Sequence, residues 1–154
     1  MLVLLAVAPP ALGSFSAARS GTALGAAQTS DLPALPEGDP VRLSVLDYAS
    51  RAVFDHGRSL VHRQVTLSGF LLPGEGGTWY LTRMVITCCA ADAQPIKVGL
   101  TGALPAGLKA NDWWQVTGVY TERVDKDPVN GEAIPYLTAG SASPIPAPAQ
   151  QYES

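Results

Sequence analysis

The spacing of apolar residues along the chain predicts one short helix followed by five strands. In residues 41–57, Leu43, Leu46, Ala49 or Ser50, and Val53 recur at helical spacing and predict one amphipathic helix. Ser44, with Asp47 three positions on, resembles a capping box with aspartate in place of glutamate. Gly57 is placed to close the helix C-terminus. From residue 58 the period falls to two. Val65, Leu67, Gly69 and Leu71 alternate with Thr66, Ser68, Phe70 and Leu72, and the glycine-rich turn PGEGG follows at 73–77. Residues 79–87 (WYLTRMVIT) are rich in aromatic and β-branched side chains, so the two runs predict a hairpin. Residues 96–100, 113–122 (WWQVTGVYTE) and 134–141 supply three further strands. Gly118 inside the fourth strand suits a bulge or a tight bend of the kind a closed barrel needs. The pattern predicts a mainly β fold, a small five-stranded OB-like Greek-key barrel at 58–142, with an open β-sandwich as its competitor.

The flanks lack such periodicity. Residues 14–40 are rich in Ala, Gly, Ser and Pro and read as a flexible linker, because they hold too little apolar surface to offset ordering entropy. Pro144, Pro146 and Pro148 mark residues 143–154 as a disordered tail. Residues 1–12 are almost wholly apolar, yet shorter than the roughly 20 residues that cross a bilayer. No Lys or Arg precedes that run, as it would in a secretory signal, and the first basic residue is Arg19. Residues 1–13 therefore read as the end of a truncated membrane helix, stopped by Pro9, Pro10 and Gly13. A signal peptide with an unusual start is the competing reading.

Composition narrows the function more than the fold. A chain of 154 residues with a formal charge of -3 fits one domain plus tails. Residues 58–142 carry seven Lys or Arg against seven Asp or Glu, and a groove that follows a phosphate backbone needs a positive excess. Nucleic acid is thus not the expected partner. Trp79, Tyr80, Trp113 and Trp114 are expected to pack in the core and rim rather than to stack on bases. The glycines at 74–77 lie in a hairpin turn, not at a helix start, and form no phosphate loop. No nucleophile–base series or paired-carboxylate motif is present, and nothing calls for an enzyme.

The sharpest chemical feature is Thr87-Cys88-Cys89-Ala90-Ala91-Asp92-Ala93, directly after the second strand. An extended chain would point the two thiols to opposite faces, so joint action requires a turn. A short helical turn over residues 90–94 would place the thiols near a helix start, which lowers a thiol pKa. One reading is a soft-metal site or redox pair built from Cys88, Cys89 and Asp92. The other is that the cysteines pack as small hydrophobes and Asp92 only caps a turn. Zinc usually takes four ligands, and only His56 and His62 add imidazoles; both flank the helix end and read as surface residues. Arg83, inside the second strand, either faces solvent or pairs with Asp92.

The run LTRMVITCCAADA at 81–93 resembles a family of permease subunits marked by a CCAADA signature and long classed as a domain of unknown function. The likeness extends to APPALGS at 8–14, SRAVFD at 50–55 and VTGVY at 116–120. In that family membrane helices precede the soluble domain, and a multi-pass permease is its partner. The resemblance implies a membrane-tethered accessory subunit of a two-component permease, with the soluble domain on the extracytoplasmic face of the cell membrane. It also implies that Arg83, Thr87, Cys88, Cys89, Ala90, Ala91 and Asp92 are motif residues. If the thiols ligate a metal, zinc, copper(I) or another soft ion is expected. A metal-delivery domain is the alternative function, and a thiol oxidoreductase cycling the vicinal pair is a further one.

Overall fold

Five strands close into a barrel, and every closure can be followed in the hydrogen-bonded register. The computed structural model describes residues 13–24, 32–86 and 93–153. The barrel strands are β2 (Gln64–Pro73), β3 (Trp79–Val85), β4 (Gln94–Gly102), β5 (Trp113–Lys126) and β6 (Ala133–Pro144). β2 pairs antiparallel with both β3 and β5, β3 with β4, and β5 with β6. β4 and β6 pair parallel and complete the ring. That is the OB arrangement, a mainly β Greek-key barrel with one amphipathic helix ahead of it, as the periodicity predicts. Two short strands sit outside the ring: β1 (Val41–Arg42) parallel to β2, and β7 (Tyr152–Glu153) parallel to β3.

The alternation in β2 sorts its side chains between two apolar clusters. Val65, Leu67 and Leu71 enter the main core with Leu81, Val98, Leu100, Val116 and Leu137. Phe70 and Leu72 face the other way and are nevertheless buried, together with Met84 and Ala17. The four aromatics divide likewise, Trp79 and Trp114 packing on the main core, Tyr80 and Trp113 on the outer cluster. Gly118 marks a register shift against β6, and a Cβ there would run into the carbonyl oxygen of Thr138. A glycine at this bend is therefore a packing requirement.

The helix ahead of the barrel, here α2 (Val45–Val53), starts as its sequence directs. Ser44 Oγ accepts the Asp47 N–H at 3.0 Å. The Asp47 carboxylate turns instead to Arg51 Nε at 2.9 Å, so only half of the capping box forms. Gly57, at φ +69°, donates its N–H to the Arg51 carbonyl at 2.9 Å and closes the C-terminus. The buried stripe lies one residue from the expected one: Val45, Tyr48, Ala49 and Ala52 are inside, while Leu46 and Val53 sit at its margin. Tyr48 sets this rotation, because its ring fills the core while its hydroxyl donates to the Tyr136 carbonyl at 2.7 Å.

Two segments expected to be a linker and a disordered tail take part in the fold. Residues 14–40 contain α1 (Ser14–Arg19), and Ala17, Thr22 and Leu24 are all buried. In residues 143–154, Ile145 N–H bonds the Trp113 carbonyl and Tyr152–Glu153 forms β7. Short docked segments need no periodicity of their own, since the barrel supplies the apolar face and the free backbone edge. The expected membrane-helix end lies almost wholly outside the described residues, and among those described no helix is long and apolar enough to cross a membrane.

Candidate functional site at the β3–β4 end of the barrel

The motif read from the sequence lies between two paired strand ends. Val85 of β3 is opposite Gln94 of β4, and residues 87–92 join them. Thr87, Cys88, Cys89, Ala90, Ala91 and Asp92 lie outside the described residues, and the proposed metal ligands with them. Among the described residues no three His, Cys, Asp or Glu side chains gather as a metal site. His56 and His62 are exposed, both at positive φ in the turns after α2, as their surface reading anticipated.

The residues flanking the motif are held from three sides. Before it, Ile86 N–H donates to the Glu153 carbonyl at 2.9 Å, extending the β3–β7 pairing. The Glu153 carboxylate in turn accepts the Val45 and Leu46 N–H groups at 2.9 and 3.1 Å, capping the start of α2. Burial pushes its pKa up, and these two N–H bonds offset only part of that. After the motif, Ala93 packs on the outer cluster that contains Ala17. Two residues further on, the Pro95 carbonyl accepts the Ala23 N–H at 2.9 Å.

Arg83 is half-buried rather than open to solvent, and its expected pairing with Asp92 falls outside the described residues. Its guanidinium donates to the Ser68 carbonyl at 3.4 Å and the Gln150 carbonyl at 3.0 Å. It also lies 5.1 Å from the centre of the Trp113 ring, which packs edge-on against Phe70. Arg83 thus ties β2, β3 and the C-terminal segment together just ahead of the motif.

Beside these flanks lies a polar cluster that the sequence did not reveal. Lys97 Nζ reaches Asp127 Oδ2 at 2.8 Å and the Ser20 carbonyl at 2.9 Å. Asp127 also accepts the Thr22 N–H at 2.9 Å and the Val129 N–H at 2.8 Å. Burial pushes the Asp127 carboxyl up, but the Lys97 ammonium and these N–H groups outweigh it and hold the pKa below the ordinary value. Asn130 completes the cluster, its amide donating to the Thr22 carbonyl at 2.9 Å. The available signal was a single lysine inside the apolar run IKVGL, whose partner lies 30 residues away.

A protein-family model described as the DUF1980 C-terminal domain matches residues 46–153, which span most of α2, the whole barrel and β7. No curated protein matches the chain.

Proposed function

The chain belongs to the DUF1980 C-terminal domain family, a family of unknown function, and from that premise we propose that it is a non-enzymatic docking module, the membrane-tethered accessory subunit of a permease. One observation supports the reading more than any other. The N-terminal segment, which leads back toward the apolar residues 1–12, is bonded at Ala23 to Pro95, three residues after Asp92. The N-terminal segment thus runs beside the start of β4, the strand that follows the Cys88-Cys89 motif in the chain, which supports a reading in which a partner held in the same membrane meets the motif first. The multi-pass permease is the partner of this reading, and the extracytoplasmic face of the cell membrane its location.

Site-specific photo-crosslinking in membranes tests this, with the full chain co-expressed with a candidate multi-pass permease partner. A photoreactive residue at exposed Gln94, next to the motif, is expected to crosslink to the permease. One at exposed Glu75, in the β2–β3 turn at the other end of β3, is expected not to. Equal labelling at both positions, or none at Gln94, removes the reading.

Soft-metal binding by Cys88, Cys89 and Asp92 is the second reading, carried by the residue types of the motif. Metal content of the purified chain decides it: a stoichiometric soft ion lost in Cys88→Ser or Cys89→Ser supports it, and a metal-free chain with both thiols refractory to alkylation until unfolding ends it.

A further inference from the structure

Barrels of this topology take extended ligands across the face of their second and third strands and the loops beside it. Here those strands are β3 and β4, and the edge of β4 beside that face is already occupied. β6 pairs with β4 only from Gly99 to Gly102, which leaves the first half of β4 without a strand partner on that side. Residues 20–24 lie in this gap. Ala23 N–H bonds the Pro95 carbonyl at 2.9 Å, and Lys97 N–H bonds Thr22 Oγ1 at 3.3 Å. The segment thus engages two backbone groups on the outer edge of β4, one directly and one through a hydroxyl, much as an added strand does.

The side chains around the gap hold the segment by its backbone. Lys97 holds the Ser20 carbonyl, Asp127 the Thr22 N–H, and Asn130 the Thr22 carbonyl. Thr22 is fully buried, and the Lys97 and Asp127 side chains are 4% and 0% exposed. Gly21 passes so close to the Asn130 amide that a Cβ there would overlap it. A cavity of about 310 Å³ continues alongside, lined by Gln94, Asn130 and Glu132 together with residues 20–23. A buried ion pair adds little net stability over an apolar pair, whereas it imposes geometry on whatever it bonds.

From this arrangement we infer that Lys97, Asp127 and Asn130 form a receptor for an extended peptide of sequence Ser-Gly-Thr-Ala, which the chain fills with its own residues 20–23. The receptor requires glycine at the second position, because of Asn130, and a hydroxyl at the third, because of the Lys97 N–H. The contact anchors the N-terminal segment to β4, so the barrel is held at a set distance from whatever precedes residue 13. The inference does not depend on the permease reading.

The test uses the full chain carrying Gly21→Val, which expels the segment and leaves the receptor residues intact. The probe is a fluorescein-labelled peptide of residues 13–24, followed by fluorescence anisotropy. The Gly21→Val chain is expected to bind it saturably, and the wild-type chain, whose site is filled, at least tenfold more weakly. Adding Asn130→Ala to the Gly21→Val chain, or Gly21→Val to the peptide, is expected to abolish binding. A folded Gly21→Val chain that ignores the peptide, or a wild-type chain that binds it equally well, overturns the inference. Should Gly21→Val fail to fold, amide hydrogen exchange on the wild-type chain decides. Thr22 and Ala23 amides as slow as those of β4 support the receptor, and exchange at the rate of the free peptide overturns it.

Discussion

Lys97 Nζ and Asp127 Oδ2 lie 2.8 Å apart in a part of the protein from which solvent is almost excluded. The pair joins β4 to the turn between β5 and β6, and through the Ser20 carbonyl and the Thr22 N–H it joins both to the N-terminal segment. Removing one partner strands the other charge in a low-dielectric site. Lys97→Met is expected to lower unfolding free energy by about 3 kcal/mol, read from urea denaturation followed by tryptophan fluorescence. A loss below about 1 kcal/mol would mean that water reaches Asp127 freely.

Two carboxylates, Asp127 buried and Glu153 half-buried, should respond to pH with opposite sign. Asp127 is held below its ordinary pKa, so its stabilisation is present above that ordinary value and lost as pH falls through the lowered one. Glu153 is pushed above its ordinary pKa, so its contribution is fullest below the ordinary value and fades as pH rises through the raised one. Asp127→Asn should therefore cost more at about pH 7 than at about pH 3, and Glu153→Gln less at about pH 7 than at about pH 4. Denaturant midpoints across that range check both signs in one experiment.

Tyr48 donates its hydroxyl to the Tyr136 carbonyl from a fully buried position. Tyr48→Phe keeps the ring and leaves that bond unmade, at an expected cost of about 1–2 kcal/mol. Because α2 and β6 are joined by this bond, hydrogen exchange should quicken in α2 before it does in β2. Unchanged exchange in α2 would remove Tyr48 as the contact that sets the helix rotation.

Glycines at positive and negative φ should fail for different reasons. Gly118→Ala places a methyl against the Thr138 carbonyl at the β5 register shift and is expected to cost about 1–3 kcal/mol. Gly76, at φ +64° with open space around its Cβ direction, is strained only by its backbone. Gly76→Ala is expected to lose about 1 kcal/mol, and Gly76→Asn less, since asparagine tolerates that conformation. Thermal midpoints of the three variants separate steric overlap from backbone strain.

The barrel was legible because each device that builds it is local. The alternation from Val65 to Leu72, the turn at 73–77 and the bend at Gly118 each act within a few residues of chain. The start of α2 was legible for the same reason, since Ser44 and Asp47 are neighbours on one turn. The rotation of α2 was not, because it is set by the Tyr136 carbonyl, 88 residues from Tyr48. The candidate site divides in the same manner. The cysteine motif shows in the sequence as a run of unusual residues, whereas the Lys97, Asp127 and Asn130 cluster has no local signature.

Periodicity and turn chemistry thus suffice to specify five strands and their helix, since side-chain direction in regular structure repeats over two or 3.6 residues, whereas closure rests on the parallel pairing of β4 with β6. Residues 20–24 and 152–153 carry no such period, and nothing in their own composition says that they dock. Their places follow from groups the barrel leaves unsatisfied: the free edge of β4, the outward Phe70 and Leu72, and the first N–H groups of α2. Those groups exist only once the strands have closed. A backbone donor without a partner, or an apolar face without a cover, recruits whichever segment of chain can reach it, and reach is a property of the assembled fold.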